Sequence, residues 1–228
     1  MKLYIDDVNL AKIKELWDVY PVDGVTSNPT ILKKNGEQPI EVLKNIRAYI
    51  GPDKDLMTQV VSVKAEGMVE EAKVIISAIG KKNTYVKVPT NAQGLKAIKL
   101  IKAMDSEIQL CATGIYTVAQ GFLAAQAGAD YVAPYVNRID NLGGDGLQVT
   151  RDIQDILNAY NLPCGISSAS FKTTRQVIEL AKYGVAAAAI NVDVWESFLA
   201  NEVVDQAVEV FNQDFEDLVG EGKTFLDC

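Results

Sequence analysis

The sequence predicts an α/β protein, a single-domain (β/α)8 TIM barrel followed by an extra C-terminal helix. Three observations support this prediction. Eight strand-like runs alternate with segments of helical spacing, the length of 228 residues suits a compact barrel, and no proline- or serine-rich linker divides the chain. A doubly wound open sheet shares the alternation and is the alternative fold.

The eight strand-like runs are rich in residues that favour extended backbone. They cover residues 2–6, 23–27, 55–62, 84–88, 107–113, 130–136, 163–169 and 185–191. Apolar residues between the runs recur at helical spacing, as Leu95, Ile98 and Ile101 do after the fourth run. Strands and helices are therefore expected to alternate along the whole barrel.

Helix boundary signals fit this division. Thr90 and Gln93 have the spacing of a capping box just after the fourth strand, and Asp193 with Glu196 repeats that spacing. Gly184 stands where a helix should end before the eighth strand. We expect a capped helix to follow the fourth strand directly.

Residues from about 203 to 228 are not needed to complete the eight strand–helix units of the barrel. Their pattern predicts an amphipathic helix followed by a tail. Val204, Val208, Phe211, Phe215 and Leu218 form one apolar face. We expect this segment to pack on a neighbouring subunit of a homo-oligomer.

Composition excludes several classes of partner. The net charge of −8 disfavours binding to nucleic acid or to an anionic membrane. No apolar run approaches the roughly 20 residues of a membrane helix, and the N-terminal segment has charges where a signal peptide is apolar. Cys111 and Cys164 lie in apolar runs and suggest buried free thiols, while Cys228 has no evident role. A soluble protein of the reducing cytoplasm is expected.

The chain contains no histidine, which restricts its chemistry. Catalytic pairs and triads that use histidine are excluded, as are histidine-based metal sites. The three cysteines lack the spacing of metal ligands. We expect acid–base chemistry from carboxylates, tyrosine, lysine or water, with no metal and no other cofactor.

Unusual polar residues gather at the C-terminal ends of the predicted strands, where barrel active sites lie. They are Asp6, Thr26, Asn28, Gln59, Lys87, Thr113, Tyr135, Arg138 and Ser170. Lys87 stands within the apolar run TYVKVPT, where burial of its charge is costly unless the ammonium is paired or loses its proton. The alternative is a lysine whose stem packs inside while its head reaches solvent.

Five segments resemble those of the transaldolase family. They are GVTSNPT (24–30), QVVS (59–62), YVKVPTNAQGLKAIK (85–99), APYVNRID (133–140) and SASFKTTRQ (168–176). They span nearly the whole chain in order and are most similar to the small branch that contains fructose-6-phosphate aldolases. The resemblance implies a class I aldolase with a Schiff-base lysine in a (β/α)8 barrel, assembled as a pentamer or decamer.

The resemblance assigns the nucleophile to Lys87, because a neutral amine attacks a ketose carbonyl and the resulting imine accepts electrons from the breaking bond. It implies that Asp6 contacts substrate hydroxyls and assists proton transfer, that Asn28 binds a hydroxyl, and that Thr26 shapes the pocket. As bare residues, Asp6 could cap the next helix and Asn28 could favour a turn. Asp7 replaces the threonine or serine that is common in the family, and its role stays open.

Gln59, Thr113 and Tyr135 separate the two activities of the family. Transaldolases proper usually have glutamate and phenylalanine at the positions of Gln59 and Tyr135, whereas this chain has the form found in fructose-6-phosphate aldolases. The resemblance implies a catalytic water held by the three side chains, and a tyrosine hydroxyl can donate and accept protons. Taken singly, each could instead be a structural polar residue.

Arg138, Ser170 and Lys172 suit a sugar phosphate, and the resemblance gives the first two that role. Lys172 stands where many transaldolases have arginine, which predicts a looser grip on the phosphate. A salt bridge between Arg138 and Asp140 is the alternative.

The expected reaction is reversible cleavage of fructose 6-phosphate to dihydroxyacetone and glyceraldehyde 3-phosphate. The alternative is a transaldolase that transfers a dihydroxyacetone unit between sugar phosphates such as sedoheptulose 7-phosphate and glyceraldehyde 3-phosphate. A non-catalytic sugar-phosphate-binding barrel is disfavoured, because binding alone needs neither the lysine nor the proton-transfer group. The expected partners are these small molecules and further copies of the chain.

Overall fold

The computed structural model describes every residue from Met1 to Cys228. It contains two compact units, Met1–Trp195 and Glu196–Cys228. The first unit holds eight parallel strands that close into a barrel in sequence order. This closure confirms the predicted (β/α)8 fold and excludes the open sheet.

Each strand overlaps one of the eight predicted runs. The strands are β1 Lys2–Asp6, β2 Gly24–Thr26, β3 Asp55–Gln59, β4 Thr84–Pro89, β5 Gln109–Ile115, β6 Tyr131–Pro134, β7 Gly165–Ser168 and β8 Ala187–Ile190.

Helices follow every strand. They are α1 Leu10–Val19, α2 Pro29–Asn35, α3 Pro39–Ile50, α4 Ala65–Ile79, α5 Ala92–Met104, α6 Val118–Gln126, α7 Val136–Asn141, α8 Gly146–Ala159, α9 Thr174–Tyr183 and α10 Val192–Ser197. The connections after β2 and β6 each contain a short additional helix, α2 and α7. These two helices begin at the C-terminal ends of their strands, beside the barrel mouth.

The predicted capping box at Thr90 is wrong. Helix α5 starts at Ala92, and its cap is Asn91, whose side chain accepts a hydrogen bond from the Gly94 amide. The Thr90 hydroxyl instead donates to the Thr113 carbonyl, and the Gln93 side chain accepts from the Ala65 amide. Both side chains bond to neighbouring elements, so local spacing alone misplaced the helix start.

The second predicted capping box is also misplaced, because Asp193 lies inside the first turn of α10 rather than before it. The predicted end of α9 is confirmed, since Gly184 follows it in the left-handed conformation.

A layer of packed hydrophobic side chains lies in the barrel interior: Tyr4, Met57, Tyr85, Cys111, Ala133 and Ala187, with Tyr131 against them. Asp55 lies in the same interior and is 2% exposed. Its Oδ2 accepts hydrogen bonds from the Tyr4 hydroxyl and the Lys2 ammonium, each at 2.7 Å. The buried carboxylate is therefore fully paired, which offsets the cost of its desolvation.

The second unit contains α11, Glu202–Val219, and a short 3₁₀ helix, Phe225–Asp227. The rings of Phe215 and Phe225 pack with centroids 4.6 Å apart. The predicted C-terminal helix is confirmed, and none of its residues is buried. No helix of the protein combines the length and apolarity needed to cross a membrane.

Candidate active site

Four of the predicted site residues lie near the C-terminal ends of their strands with their side chains directed into the barrel. Residues of the interior layer point into the barrel, and strand alternation makes the residue two positions later point the same way. Applied to Tyr4, Met57, Tyr85 and Cys111, this rule places four side chains above the layer at the C-terminal mouth: Asp6, Gln59, Lys87 and Thr113. The sheet register sets Gln59 beside Lys87 on adjacent strands.

Lys87 is 4% exposed, so its head does not reach solvent. Its Nζ donates a 3.0 Å hydrogen bond to the backbone carbonyl of Ser27, just after β2. No carboxylate forms an ion pair with it. The amine is therefore buried in the barrel mouth with a single backbone carbonyl as its hydrogen-bond partner.

The first two strands contribute a carboxylate and a hydroxyl that are bonded together. Thr26 Oγ1 donates to Asp6 Oδ1 at 2.7 Å. Asp6 does not cap α1, because Asn9 does. Asp7 accepts a hydrogen bond from the Asn9 amide, so it shapes the turn before the helix. The two adjacent carboxylates therefore have different roles: Asp6 is bonded to Thr26 of the neighbouring strand, and Asp7 stabilises the turn that leads into α1.

Thr113 on β5 and Tyr135 after β6 form the third polar pair. The threonine Oγ1 and the tyrosine hydroxyl lie 2.8 Å apart, and either can donate. The site thus contains a hydroxyl pair able to accept and release a proton in the same mouth as a buried amine.

The ring of Tyr135 is contacted by two further side chains. The Arg138 guanidinium carbon lies 4.6 Å from the ring centroid, a cation–π contact. The Tyr116 ring meets it edge-on, with centroids 5.7 Å apart and an interplanar angle of 74°.

The alternative role for Arg138 is wrong, since it forms no salt bridge with Asp140. That carboxylate accepts hydrogen bonds from the Gly146 amide and the Gln176 side chain instead. Arg138 is exposed and has no carboxylate partner.

Ser170 lies close to α7, the helix that contains Arg138, because its backbone is hydrogen-bonded to that helix. Its carbonyl accepts from the Asn137 amide at 2.8 Å, and its φ of 61° is left-handed. Lys172 is exposed, and its Nζ lies 3.6 Å from Asp193 Oδ2. Of the three predicted phosphate ligands, Lys172 is therefore the one that forms an ion pair with a carboxylate of the protein.

Asn28 caps α2, because its Oδ1 accepts from the amides of Thr30 and Ile31. Its side-chain NH₂ has no protein acceptor. The structural role expected of an asparagine in this turn is therefore present, and a donor group remains for a ligand.

A thiol also lies beside the amine, since Cys111 neighbours Lys87 in the sheet register. Burial raises the pKa of Cys111 to about 11. The thiol consequently stays protonated at neutral pH and does not compete as a nucleophile.

Sequence reasoning missed two contributors, Ser27 and Tyr116. Ser27 acts through its carbonyl, which no side-chain pattern reveals. For Tyr116 a signal was present, because Gly114 directly after Thr113 interrupts the alternation of β5.

Comparison with known proteins adds two findings. The family model described as "Transaldolase/Fructose-6-phosphate aldolase" matches residues 3–224. Among solved structures, one described as "Native KDPGal structure" is similar with a TM-score of 0.58 and 16% sequence identity, over 82% of this chain and 81% of that chain. At this identity the structural likeness concerns the barrel fold alone.

Proposed function

The chain belongs to the transaldolase/fructose-6-phosphate aldolase family, and on that premise we propose that it is a Schiff-base aldolase acting on fructose 6-phosphate. The proposed products are dihydroxyacetone and glyceraldehyde 3-phosphate. The family makes the chain an enzyme of the aldolase/transaldolase type, and the finer assignment rests on the site residues.

One observation carries the proposal: Lys87 is buried and has only a carbonyl as partner. Such an amine attacks the C2 carbonyl of the ketose to form a carbinolamine, which loses water to give a protonated imine. The cationic imine then accepts the electron pair released when the C3–C4 bond breaks.

The hydroxyl pair of Thr113 and Tyr135 supports the proton transfers that this reaction needs. A water held by Gln59, Thr113 and Tyr135 removes the proton of the C4 hydroxyl as the C3–C4 bond breaks, with Asp6 assisting. Glyceraldehyde 3-phosphate leaves, and an enamine of dihydroxyacetone stays on Lys87. Protonation at C3 and hydrolysis release dihydroxyacetone and restore the amine.

Arg138 and Ser170 are the proposed phosphate ligands, with Lys172 at their edge. Arg138 suits this role because it forms no ion pair that a phosphate would have to replace. Lys172, in contrast, would have to leave its ion pair with Asp193 to bind the phosphate. The phosphate contributes to positioning of the substrate, and the reacting carbons lie toward Lys87.

A product assay distinguishes the aldolase from the transaldolase. The protein is incubated with fructose 6-phosphate alone, and with erythrose 4-phosphate added. Free dihydroxyacetone from the first mixture is the expected result. Sedoheptulose 7-phosphate formed only in the second mixture, with no free dihydroxyacetone in either, would assign transaldolase action instead.

A further inference from the structure

Strand β5 contains an irregularity next to the proposed site. Thr113 pairs with Ala133 and Ile115 pairs with Pro134, so two residues of β5 oppose one residue of β6. The extra residue is Gly114, whose φ of 73° is left-handed and suits glycine. Bulges of this kind turn the following side chains to the other face of the sheet.

The bulge determines which residue comes level with Tyr135. Because Ile115 pairs with Pro134, the next residue, Tyr116, stands beside Tyr135. In a regular strand Ile115 would occupy that position. Ile115 is instead fully buried, and the ring of Tyr116 contacts the ring of Tyr135.

The backbone around Tyr116 is held on both sides. Its amide donates to the Gln120 side chain at 2.8 Å, as part of the capping box that begins α6. The preceding carbonyl, that of Ile115, accepts from the Tyr135 amide at 3.0 Å. The two tyrosines are thus joined through backbone as well as through their rings.

Tyr116 contacts Tyr135 by its ring rather than by its hydroxyl, which has no hydrogen-bond partner in the protein. Tyr135 therefore has three restraints: the Tyr116 edge, the Arg138 cation, and the hydrogen bond to Thr113. Only the third involves its reacting group. The other two contact the ring and restrict its orientation, which in turn restricts the direction in which the hydroxyl points.

From this geometry we propose that Tyr116 is a positioning residue, which holds the ring of Tyr135 so that its hydroxyl stays in register with Thr113 and with the imine on Lys87. The proposal rests on the proposed function, because it acts through the proton-transfer tyrosine. It also gives the Gly114 bulge a role, because the bulge places the aromatic ring of Tyr116, rather than the aliphatic side chain of Ile115, beside Tyr135.

The test is a double-mutant cycle with Tyr116→Ala, Tyr135→Phe and the double variant, and with Tyr116→Phe as the matched control. Fructose 6-phosphate cleavage and the rate of dihydroxyacetone uptake by Lys87, quenched with borohydride, are both measured. Loss of ring positioning is expected to lower kcat of Tyr116→Ala by about 10- to 100-fold, with KM nearly unchanged. Tyr116→Phe, which keeps the ring, should stay within about twofold of the wild type.

The cycle separates positioning from general structural support. If Tyr116 acts through Tyr135, then Tyr116→Ala should have little further effect in the Tyr135→Phe background, on either rate. An equal loss in both backgrounds, or a Tyr116→Phe variant as impaired as Tyr116→Ala, would overturn the proposal. Thermal unfolding monitors folding, and Tyr116→Leu replaces Tyr116→Ala if the latter is unstable.

Failure of the proposed function would have a different signature. In that case the wild-type protein itself would release no free dihydroxyacetone from fructose 6-phosphate, or would form no borohydride-trapped adduct on Lys87. Failure of the positioning role leaves the wild-type adduct and cleavage intact and changes only the pattern among the variants.

Discussion

In the proposed reaction a single residue, Lys87, carries the chemistry, and few groups contact it. Its Nζ is bonded to the Ser27 carbonyl, its neighbours in the sheet are Gln59 and Cys111, and no carboxylate neutralises it. Lys87 is thus a buried amine whose one hydrogen-bond partner is a backbone carbonyl. Burial raises the pKa of the adjacent Cys111 to about 11, so this thiol stays protonated at neutral pH and does not compete as a nucleophile.

The cysteines give a prediction at the residue scale. Burial raises the pKa of Cys111 to about 11 and that of Cys164 to about 12, whereas Cys228 is exposed. A raised pKa keeps a thiol neutral below that pH, and the thiolate is the reactive species. At pH 8 iodoacetamide should therefore label Cys228 quickly and the other two only after denaturation. Peptide mass spectrometry checks this, and rapid native labelling of Cys111 would contradict it.

At the scale of strands and helices, the regular elements position the candidate site. Their regularity also determines which parts of the fold and of the site could be predicted from the sequence. The eight strand-like runs located the strands, and the polar residues near their C-terminal ends indicated the mouth where the candidate site lies, because strand alternation has a fixed period. The same rule failed beyond Gly114, where a bulge shifts the period, so Tyr116 was missed. Helix starts were less predictable, since Thr90 and Gln93 bond to distant elements instead of capping α5. Contacts made by backbone carbonyls, such as that of Ser27, leave no residue-type signal.

Gly94 gives a prediction at the element scale. A Cβ on this residue would lie 1.7 Å from the carbonyl oxygen of Pro89, so α5 can approach the end of β4 only with glycine there. Gly94→Ala should force the helix away from the strand that carries Lys87, and lower the free energy of unfolding by about 1–3 kcal/mol. Urea denaturation measures this change.

The control for Gly94→Ala is Lys99→Ala, which lies on the exposed side of the same helix and should change stability by less than about 0.5 kcal/mol. Equal stability of the two variants would show that the close approach of α5 to β4 is not required.

On the scale of the whole molecule, exposed apolar surface on both compact units supports our proposal that the chain self-associates. On α11 the side chains of Val204, Phe211 and Leu218 are 54%, 68% and 80% exposed. On the barrel, a groove of 660 Å³ between α2, α3 and α4 is lined mainly by apolar side chains, among them the exposed Val61 and Val74. Two such surfaces can be covered when α11 of one copy packs on the barrel of another.

Self-association can be measured by light scattering coupled to size exclusion. The wild-type protein should have a mass above the 24.8 kDa of one chain. Phe211→Asp places a charge on the apolar face of α11 and should reduce that mass, whereas the adjacent Asn212→Asp should not. A wild-type mass of one chain would contradict the proposal.

The most direct test of the central claim is the identity of the residue that bonds to dihydroxyacetone. The protein is incubated with dihydroxyacetone, reduced with borohydride and digested, and the modified peptide is located by mass spectrometry. One adduct is expected, on Lys87, and it should be lost in Lys87→Met and retained in the surface control Lys99→Met. An adduct that persists at full yield in Lys87→Met would contradict it.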